Sequence, residues 1–578
     1  MSIQVVPDAG AGAEDPAAGH LAAVAARLEW QPALFAQRPD RRMLLRLKAP
    51  WPLGPRRIRF HRNHGIELAL SVLRPFLEYA GVAPEFVIGD YDDSLTFGAL
   101  DAADLEVVWL DYARFADRMA PADLADWLGD RLRVLRGRSA APVLVLDWDG
   151  PAAGAEPFRE AFARPASEIG GVYLADRREL LAELDTDYFD AERSAVTGTR
   201  MSQLGAILTA RLLGTRWLPA LLAPRLKAIV VDLDNTLHAG VLGEDGAAGV
   251  ALTDGHARLQ RRLLALRDSG LFLALLSRND ESDVRALFAT RADFPVGWDD
   301  FPVHRVSWQA KSDGLREIAR ELRIDPGAVL FVDDNPGELL EATHSVPGLH
   351  CLHARPDADE TVAALDHFPG LWAFAETRED GLRSADSRAN RDRDAVLAQA
   401  GEDVGAYYRE LAVTLTVTHD APGQLARIAE LSGKTNQFNL ALRRLTGAEL
   451  PALLADPRWQ LSTAQLEDRL SDSGVIAIAI TERRDSALIV HDLCISCRAL
   501  GRALEDLIVG RLVAGGPLFA GATEVVFPFV DAPRNAPARS WLARFAGRGL
   551  PEAPSDIVVP ATRVAEAAVN PHVIIEAR

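Results

Sequence analysis

An α/β protein of three folded units is what this sequence predicts: two units built on parallel sheets, then one of α+β type. Three observations lead there. At 578 residues the chain outgrows a single hydrophobic core. Short apolar runs alternate with helix-length amphipathic stretches through the first two thirds, the pattern of strand, crossover helix and parallel strand. In the last third strands and helices are mixed without that alternation.

Taken in order, the first forty residues are rich in Ala, Gly, Pro and Asp and read as a flexible start over 1–40. Residues 41–205 form the first α/β unit, with strands at PEFVIGD, DLEVVWLDY, APVLVLDWDG and GGVYLAD and helices between them. Residues 206–370 form the second, opening on the helical MSQLGAILTARLLGTRW and continuing through the strands LKAIVVDLDNT, LFLALLS and VLFVDD. An Arg/Asp/Ala-rich helical connector covers 371–404. The α+β unit, 405–578, carries strands at LAVTLTVTH, VIAIAITER, SALIVHDLCIS and TEVVFPF.

Composition narrows the function classes. With 48% hydrophobic, 25% charged and 7% aromatic residues the chain has the profile of an ordinary globular protein. A net charge of −19 argues against nucleic acid as a partner, because neutralising phosphates requires a broad Lys/Arg surface. No stretch reaches about 18 uninterrupted apolar residues, and the opening MSIQVVPDAG lacks a basic start, so neither a membrane span nor a secretory signal is expected, and the location read from this is cytoplasmic. The three cysteines, Cys351, Cys494 and Cys497, build no disulfide framework. Cys494 and Cys497, read as lying on one strand, point to opposite faces and are expected to be packing residues.

The chemistry is carried by DLDNT, residues 232–236, at the carboxyl end of an apolar strand, where open parallel sheets gather ligands. Asp232 is placed to attack phosphorus, and Asp234, two residues on, to serve as acid and base. Like charges so close call for a cation, and Mg²⁺ held by Asp232, Asp234, Asp333 and Asp334 would supply it. Thr236, Ser277, Asn279 and Lys311 complete the set as phosphate-binding groups, and Lys311 is expected to serve in catalysis as well. DxDxT alone occurs by chance; four elements in this order, each after a predicted strand or in a loop, are specific. They resemble the haloacid dehalogenase superfamily. Between Thr236 and Ser277 there is room for a flap and one helix but no lid domain, so the site should be open and a macromolecular partner should help to close it.

A closer resemblance rests on DLDNTLHAGVLGEDG, SWQAKSDGLREIARELRI, VLFVDDNP, GKTNQFNLALRR and CISCRALGRALED. These segments are similar to the FkbH-like family over roughly 180–550. The resemblance implies a haloacid dehalogenase domain, Rossmann-like and without a large cap, joined to an acetyltransferase-like domain, and an activity in polyketide assembly. A small acid is activated through phosphoryl chemistry and loaded as a thioester on an acyl carrier protein. The sequence departs from the family at two places: Leu276 stands where an acyl-carrying cysteine is usual, and His238 where Trp is usual. His238 is read as a surface residue of the flap. Without the cysteine, an acyl phosphate formed with ATP could meet the carrier's phosphopantetheine thiol directly, or Asp232 could strip phosphate from a pre-activated or phosphorylated substrate, an acyl phosphate such as 1,3-bisphosphoglycerate among them, with the thiol attacking separately. Glyceric, lactic and malic acids all fit. A phosphatase of a free or carrier-bound phosphorylated acid, and a decayed carrier-binding scaffold, are the alternatives.

In the flanking units, Arg498 and Gly501 fall in an R-x-x-G-x-A pattern before a helix and, with Asn436, Gln437, Asn439 and Arg443, are candidates to line a pantetheine groove. The first unit resembles a degraded SGNH-hydrolase-like domain: GDYDDS lacks the nucleophilic serine in place, so no catalysis is expected there. Arg41, Arg42, Arg46, Lys48, Arg56, Arg57, Arg59 and Arg62 form a basic cluster, read as a solvated face.

Overall fold

The computed structural model describes residues 16–115, 117–149, 152–197, 199–374, 389–390, 392–401, 403–445, 447, 449–532, 535–550 and 554–577. The start over 1–15 and the connector over 375–388 therefore lie outside the described residues. Three sheets organise the rest. β1 (Gly54–Arg62), β2 (Val82–Tyr91), β3 (Leu105–Trp109), β4 (Val143–Leu146) and β5 (Val172–Ala175) form a parallel sheet in the order 2-1-3-4-5. β6 (Ala228–Val231), β7 (Phe272–Ser277), β8 (Val303–Val306), β9 (Val329–Asp333) and β10 (His350–His353) form a second, in the order 10-9-6-7-8, with β6 at its centre. β11 (Thr414–His419), β12 (Trp459–Asp468), β13 (Ser471–Arg484), β14 (Ala487–Ile495), β15 (Glu524–Phe529), β16 (Ser555–Pro560) and β17 (Ile574–Ala577) make a mixed sheet. The α/β class, with two Rossmann-like parallel cores and one mixed sheet, is as the patterning predicts. No helix among the described residues is long and apolar enough to cross a membrane.

The central strands are apolar on both faces because helices cover both. Side chains of β6, β7 and β9 alternate between one core holding Ile229, Val231, Leu273 and Leu330 and another holding Ala228, Val230, Leu276 and Phe331. β1 was not legible as a strand because GPRRIRFHR reads as a charge run. Pairing resolves it: Arg59 is buried at 2.9 Å from Glu106, His61 meets the same carboxylate, Arg57 reaches Glu85 at 3.2 Å, and Arg62 reaches Glu67. The expected basic face is thus divided, with Arg57, Arg59 and Arg62 neutralised and Arg42, Arg46 and Lys48 exposed.

Two segments sit elsewhere than the boundaries at 40 and 206 imply. Residues 16–35 form a helix packed on helix Pro336–Ser345 and on β10 of the central unit. Helix Gln203–Leu212, expected to open the central unit, packs on helix Glu67–Tyr79 of the first, and the following Gly214 admits Phe76 so closely that an added Cβ would collide with it.

Gln31 shows why helix Pro16–Phe35 is held. Its buried amide donates to Cys351 O at 2.8 Å and to the Tyr79 hydroxyl at 3.0 Å, and accepts from His353 N at 3.0 Å. It therefore stands in for a neighbouring strand along the edge of β10 and joins two units. Gln31→Ala should lower the unfolding free energy by about 1–3 kcal/mol, because buried partners lose their hydrogen bonds. Urea denaturation measures this, and an unchanged midpoint would separate the helix from the sheet edge.

Candidate active site

The site forms at the carboxyl edge of the second sheet. β6 runs between β7 and β9, so Asp232, the first residue past its end, stands in the middle of the edge, its N–H bonded to Val332 O at 2.9 Å. β9 ends on Asp333, and the turn after it carries Asp334. β7 ends on Ser277, two residues before Asn279, and the loop after β8 leads to Lys311 at the first position of helix Lys311–Glu321. The parallel order thus gathers onto one edge residues a hundred positions apart in sequence.

Lys311 is the hub. Its buried ammonium lies 2.9 Å from Asp232 Oδ1 and makes a still shorter contact with Asp333 Oδ2. A cation at a helix N-terminus runs against the helix dipole, so the position is unfavourable unless anions offset it. Burial works against its charge, but Asp232 and Asp333 outweigh that and raise its pKa. Ligand oxygens of Asp232, Asp333 and Asp334 lie within 4.8 Å of one another. Three carboxylates share one ammonium, and the imbalance shows at Asp232 and Asp334. Burial, opposed by Lys311 and reinforced by Asp333, pushes the Asp232 carboxyl up to about 7, and burial with Asp333 raises Asp334. Hard oxygens at this spacing fit Mg²⁺, which neutralises such a group without redox chemistry.

The structure does not bring Asp234 into that carboxylate group. Its Oδ1 accepts from Leu242 N at 2.9 Å and its Oδ2 from Asn279 Nδ2 at 2.8 Å, so the side chain turns towards the flap. Asn279 is correspondingly occupied: the same Nδ2 donates to Ser277 Oγ at 3.0 Å, which commits both amide hydrogens and leaves none for phosphate. Asn279 is a residue that orients Asp234. Thr236 Oγ1 is buried with no protein partner, and Ser277 is buried too.

His238 corrects the expectation of a surface residue. It is fully buried against Phe294, neither ring nitrogen has a hydrogen-bond partner, and Nε2 lies 3.7 Å from Asp234 Oδ1. Burial, against the pull of Asp234, lowers its pKa, so the ring is held neutral. The flap closes because Asn235 takes a positive φ of 51° and its Oδ1 accepts from Gly240 N at 3.1 Å. No pattern in DLDNTLHAG separates a buried histidine from an exposed one, since its ring neighbour Phe294 comes from a distant part of the chain.

The six residues proposed for a pantetheine groove do not form one surface. β14 and β15 pair in parallel only over Ala487–Ile489 and Glu524–Val526 and then diverge. The gap is filled by the chain itself: Ile495 N donates to Phe438 O, Leu440 N to Leu493 O, and Val530 N to Leu440 O. Asn439 lies in this plug, fully buried, with its amide spent on Thr435 O and Leu442 N. Arg443 stacks near Trp459. Gln437 and Gly501 line a cleft of about 420 Å³ that helix Lys311–Glu321 and Arg323 also border, while Asn436 and Arg498, with Gln437 again, line a smaller one beside Lys227. Gly501 N bonds Glu505 Oε1 at 3.0 Å, so this donor of the R-x-x-G-x-A segment is taken.

Position also separates the two sites. Lys227, whose Nζ lies 3.7 Å from Cys497 Sγ, precedes β6, and Arg323, bonded to Leu500 O, follows helix Lys311–Glu321. Five strand residues at about 3.3 Å each place Lys227 roughly 16 Å from Asp232. The mixed-sheet unit therefore meets the amino edge of the second sheet, opposite the aspartates. Cys494 ends inside β14, buried, and Cys497 lies past the strand, so the two do not share a strand as expected. Burial pushes Cys351 up to about 12 and holds Cys494 well above the usual thiol range, which removes both as thiolates.

At the carboxyl edge of the first sheet, Asp111 is tied to Asn63 and Arg200, and His64 is held by burial at about 4. Ser94 only closes a turn on Asp92.

No family model and no curated protein matches the chain. Among solved structures it is similar to the N-terminal part of BF1531 from Bacteroides fragilis, described as containing a phosphatase domain complexed with Mg, at 17% identity and a TM-score of 0.48 over 56% of this chain and 95% of that one. It is also similar to a GCN5-related glucosamine N-acetyltransferase region of a fungal multi-domain GH3 β-N-acetylglucosaminidase, at 12% identity and a TM-score of 0.17, over 92% of this chain and 68% of that one.

The raised Asp232 pKa has a sign. Because the folded value of about 7 exceeds the usual 3.8, the folded state holds the extra proton between those values. Metal-free stability should therefore fall as pH rises through that window and level off above it. Urea midpoints against pH should show this decline in the unsubstituted chain and lose part of it in Asp232→Asn. Mg²⁺ should stabilise more at pH 8 than at pH 5; equal stabilisation at both would argue against metal at these carboxylates.

Proposed function

We propose that the chain activates a small hydroxy acid through phosphoryl transfer at Asp232 and delivers it to the phosphopantetheine thiol of an acyl carrier protein, in the manner of FkbH-like enzymes of polyketide assembly. The observation that carries this reading is the group Asp232, Asp333 and Asp334 around one buried ammonium at a parallel-sheet carboxyl edge. Asp232, Asp333 and Asp334 would hold Mg²⁺, which supplies positive charge against the phosphoryl oxygens. Asp232 attacks phosphorus and takes the phosphoryl group, while Asp234, oriented by Asn279 and Leu242 N, gives its proton to the leaving oxygen. Lys311 screens the carboxylates so that the nucleophile can approach an anion, and Thr236 and Ser277 offer hydroxyls to the phosphoryl oxygens.

With ATP as donor, the acid's carboxylate then takes the phosphoryl group from Asp232, and the carrier thiol attacks the resulting acyl phosphate and expels phosphate. With a substrate that arrives as an acyl phosphate, such as 1,3-bisphosphoglycerate, the carrier thiol attacks the acyl carbon and expels the anhydride phosphate, while Asp232 takes the phosphoryl group of the phosphate ester and releases the alcohol. Either course ends in a carrier thioester without an enzyme thiol. Leu276 supports this: it packs on Gly314 within the core shared with Leu315 and Ile318, so a side chain there points away from the cleft.

Intact-protein mass spectrometry of a phosphopantetheinylated carrier incubated with Mg²⁺ and glycerate, lactate or malate plus ATP, or with 1,3-bisphosphoglycerate, tests the reading. A mass increase equal to one acyl group is expected with one donor, and none with any donor sinks it. Asp232→Asn should lower the rate by several orders of magnitude while the fold persists. Leu276→Cys should not trap acyl groups on the chain; acyl capture by that variant would show that position 276 reaches the cleft.

A phosphatase of a free phosphorylated acid is the second reading, favoured by the mixed-sheet unit's place at the opposite edge. Saturable phosphate release that is indifferent to carrier would select it.

A further inference from the structure

His238 carries two ring nitrogens into a place where packing alone has no use for them. The ring is fully buried against Phe294, and neither Nδ1 nor Nε2 has a hydrogen-bond partner among the described residues. An apolar ring would fill the same space at lower cost, because a buried donor or acceptor without a partner loses its hydration and gains nothing in return. The groups around it are committed elsewhere. His256 Nδ1 is spent on Thr253 Oγ1 at 2.7 Å, and Arg291 on Asp293, Ala247 O and Val250 O. The Ala239 carbonyl, beside the ring, already accepts from Ala251 N at 2.9 Å. What remains is Asp234, whose Oδ1 lies 3.7 Å from Nε2. That separation exceeds a hydrogen bond by about 0.5 Å.

The oxygen that Nε2 faces is an acceptor. Asp234 Oδ1 takes Leu242 N at 2.9 Å, and Oδ2 takes Asn279 Nδ2 at 2.8 Å. A lone pair on Nε2 would be repelled by Oδ1, so the attractive arrangement puts the ring's hydrogen on Nε2. His238 and Leu242 N both belong to the flap that Asn235 and Gly240 close, so the same turn carries both donors to the same oxygen. With the gap closed, Oδ1 accepts two N–H groups and Oδ2 one. A carboxylic acid accepts better at its carbonyl oxygen than at its hydroxyl oxygen, and the proton that Asp234 carries is thereby assigned to Oδ2.

We infer that His238 is a positioning residue for Asp234: its Nε2–H closes on Oδ1 and, with Leu242 N, leaves Oδ2 as the oxygen that gives up the proton. In the transfer the bond from Asp232 to phosphorus forms as the bond from phosphorus to the leaving oxygen breaks, and the Oδ2 proton passes to that oxygen. None passes through the ring. The inference rests on the acid role of Asp234 in the proposed reaction and adds the residue that decides which of its oxygens acts.

The test compares the full chain with His238→Phe and His238→Gln on two aryl phosphates, p-nitrophenyl phosphate and phenyl phosphate, with Mg²⁺ present. The esters differ in how much their leaving oxygen needs a proton: p-nitrophenolate departs as an anion, whereas the more basic phenolate depends on the acid. The quantity compared is kcat/KM, which reports the step in which the phenol leaves. His238→Phe should lower kcat/KM for phenyl phosphate by about 10–100-fold, the loss expected of a misplaced acid, and for p-nitrophenyl phosphate by about threefold at most. His238→Gln, which keeps an N–H at a similar reach, should recover most of the phenyl phosphate loss. The urea midpoint of His238→Phe should hold or rise, since two unpartnered polar atoms leave the core. Equal losses on the two esters, no loss on either, a loss that Gln does not recover, or a lower midpoint overturns the inference and leaves phosphoryl transfer at Asp232 standing. Turnover of neither ester by the unsubstituted chain sinks the phosphoryl reading itself, and the inference with it.

Discussion

The ion cluster around Lys311 is the constraint on which the central unit depends. A buried ammonium at a helix N-terminus is unfavourable by the helix dipole and by desolvation, and it persists because Asp232 and Asp333 lie against it. Removing one partner leaves a buried charge without compensation, so the strand order, the length of β9 and the start of helix Lys311–Glu321 are bound together by one geometry. The same cluster is left short of positive charge, which is why Asp232 stays protonated to about 7 until a cation or substrate changes the balance. A site that is electrostatically incomplete by itself is suited to taking a divalent ion and a phosphoryl group together.

From this hub the structure divides its labour by edge. The carboxyl edge holds Asp232, Asp333, Asp334 and Lys311, and the amino edge holds the mixed-sheet unit through Lys227, Arg323 and Cys497. Helix Lys311–Glu321 spans the two, beginning at the ammonium and ending at the interdomain cleft. Self-occupation of the gap between β14 and β15 by Phe438–Leu440 means that the region marked by NQFNL serves the fold of its own sheet. The first unit is tied in by Gln31, whose amide completes the edge of β10. His353 at that edge bonds Asp334 O at 3.0 Å, so the N-terminal helix supports the carboxylate turn at one remove.

Strands that were legible and strands that were not differ in how their polar groups are satisfied. β6, β7 and β9 are apolar on both faces and announce themselves, whereas β1 is full of arginines that become strand residues only through Glu85 and Glu106. β12 is similar: Gln460, Ser462 and Thr463 are buried, with Gln460 bonded to Ser462 and Ser462 to His419, so a polar run lies inside the sheet. β10 is four residues long and owes its place to Gln31, more than three hundred positions earlier.

The sequence by itself determined the α/β class, the carboxyl-edge placement of Asp232, and the order in which Ser277, Lys311, Asp333 and Asp334 join it. All of these follow from short-range periodicity and from residue types that have few other uses at a strand end. Only the tertiary structure decided that Asp234 turns to Leu242 N and Asn279 instead of joining the carboxylate group, that His238 is buried, and that Asn439 is a plug. It also decided that the arginines of β1 are neutralised and that the two candidate sites stand at opposite edges. Each of those outcomes is set by which distant group satisfies a donor, an acceptor or a charge, and a hydrogen bond or ion pair between residues far apart along the chain leaves no local pattern to read.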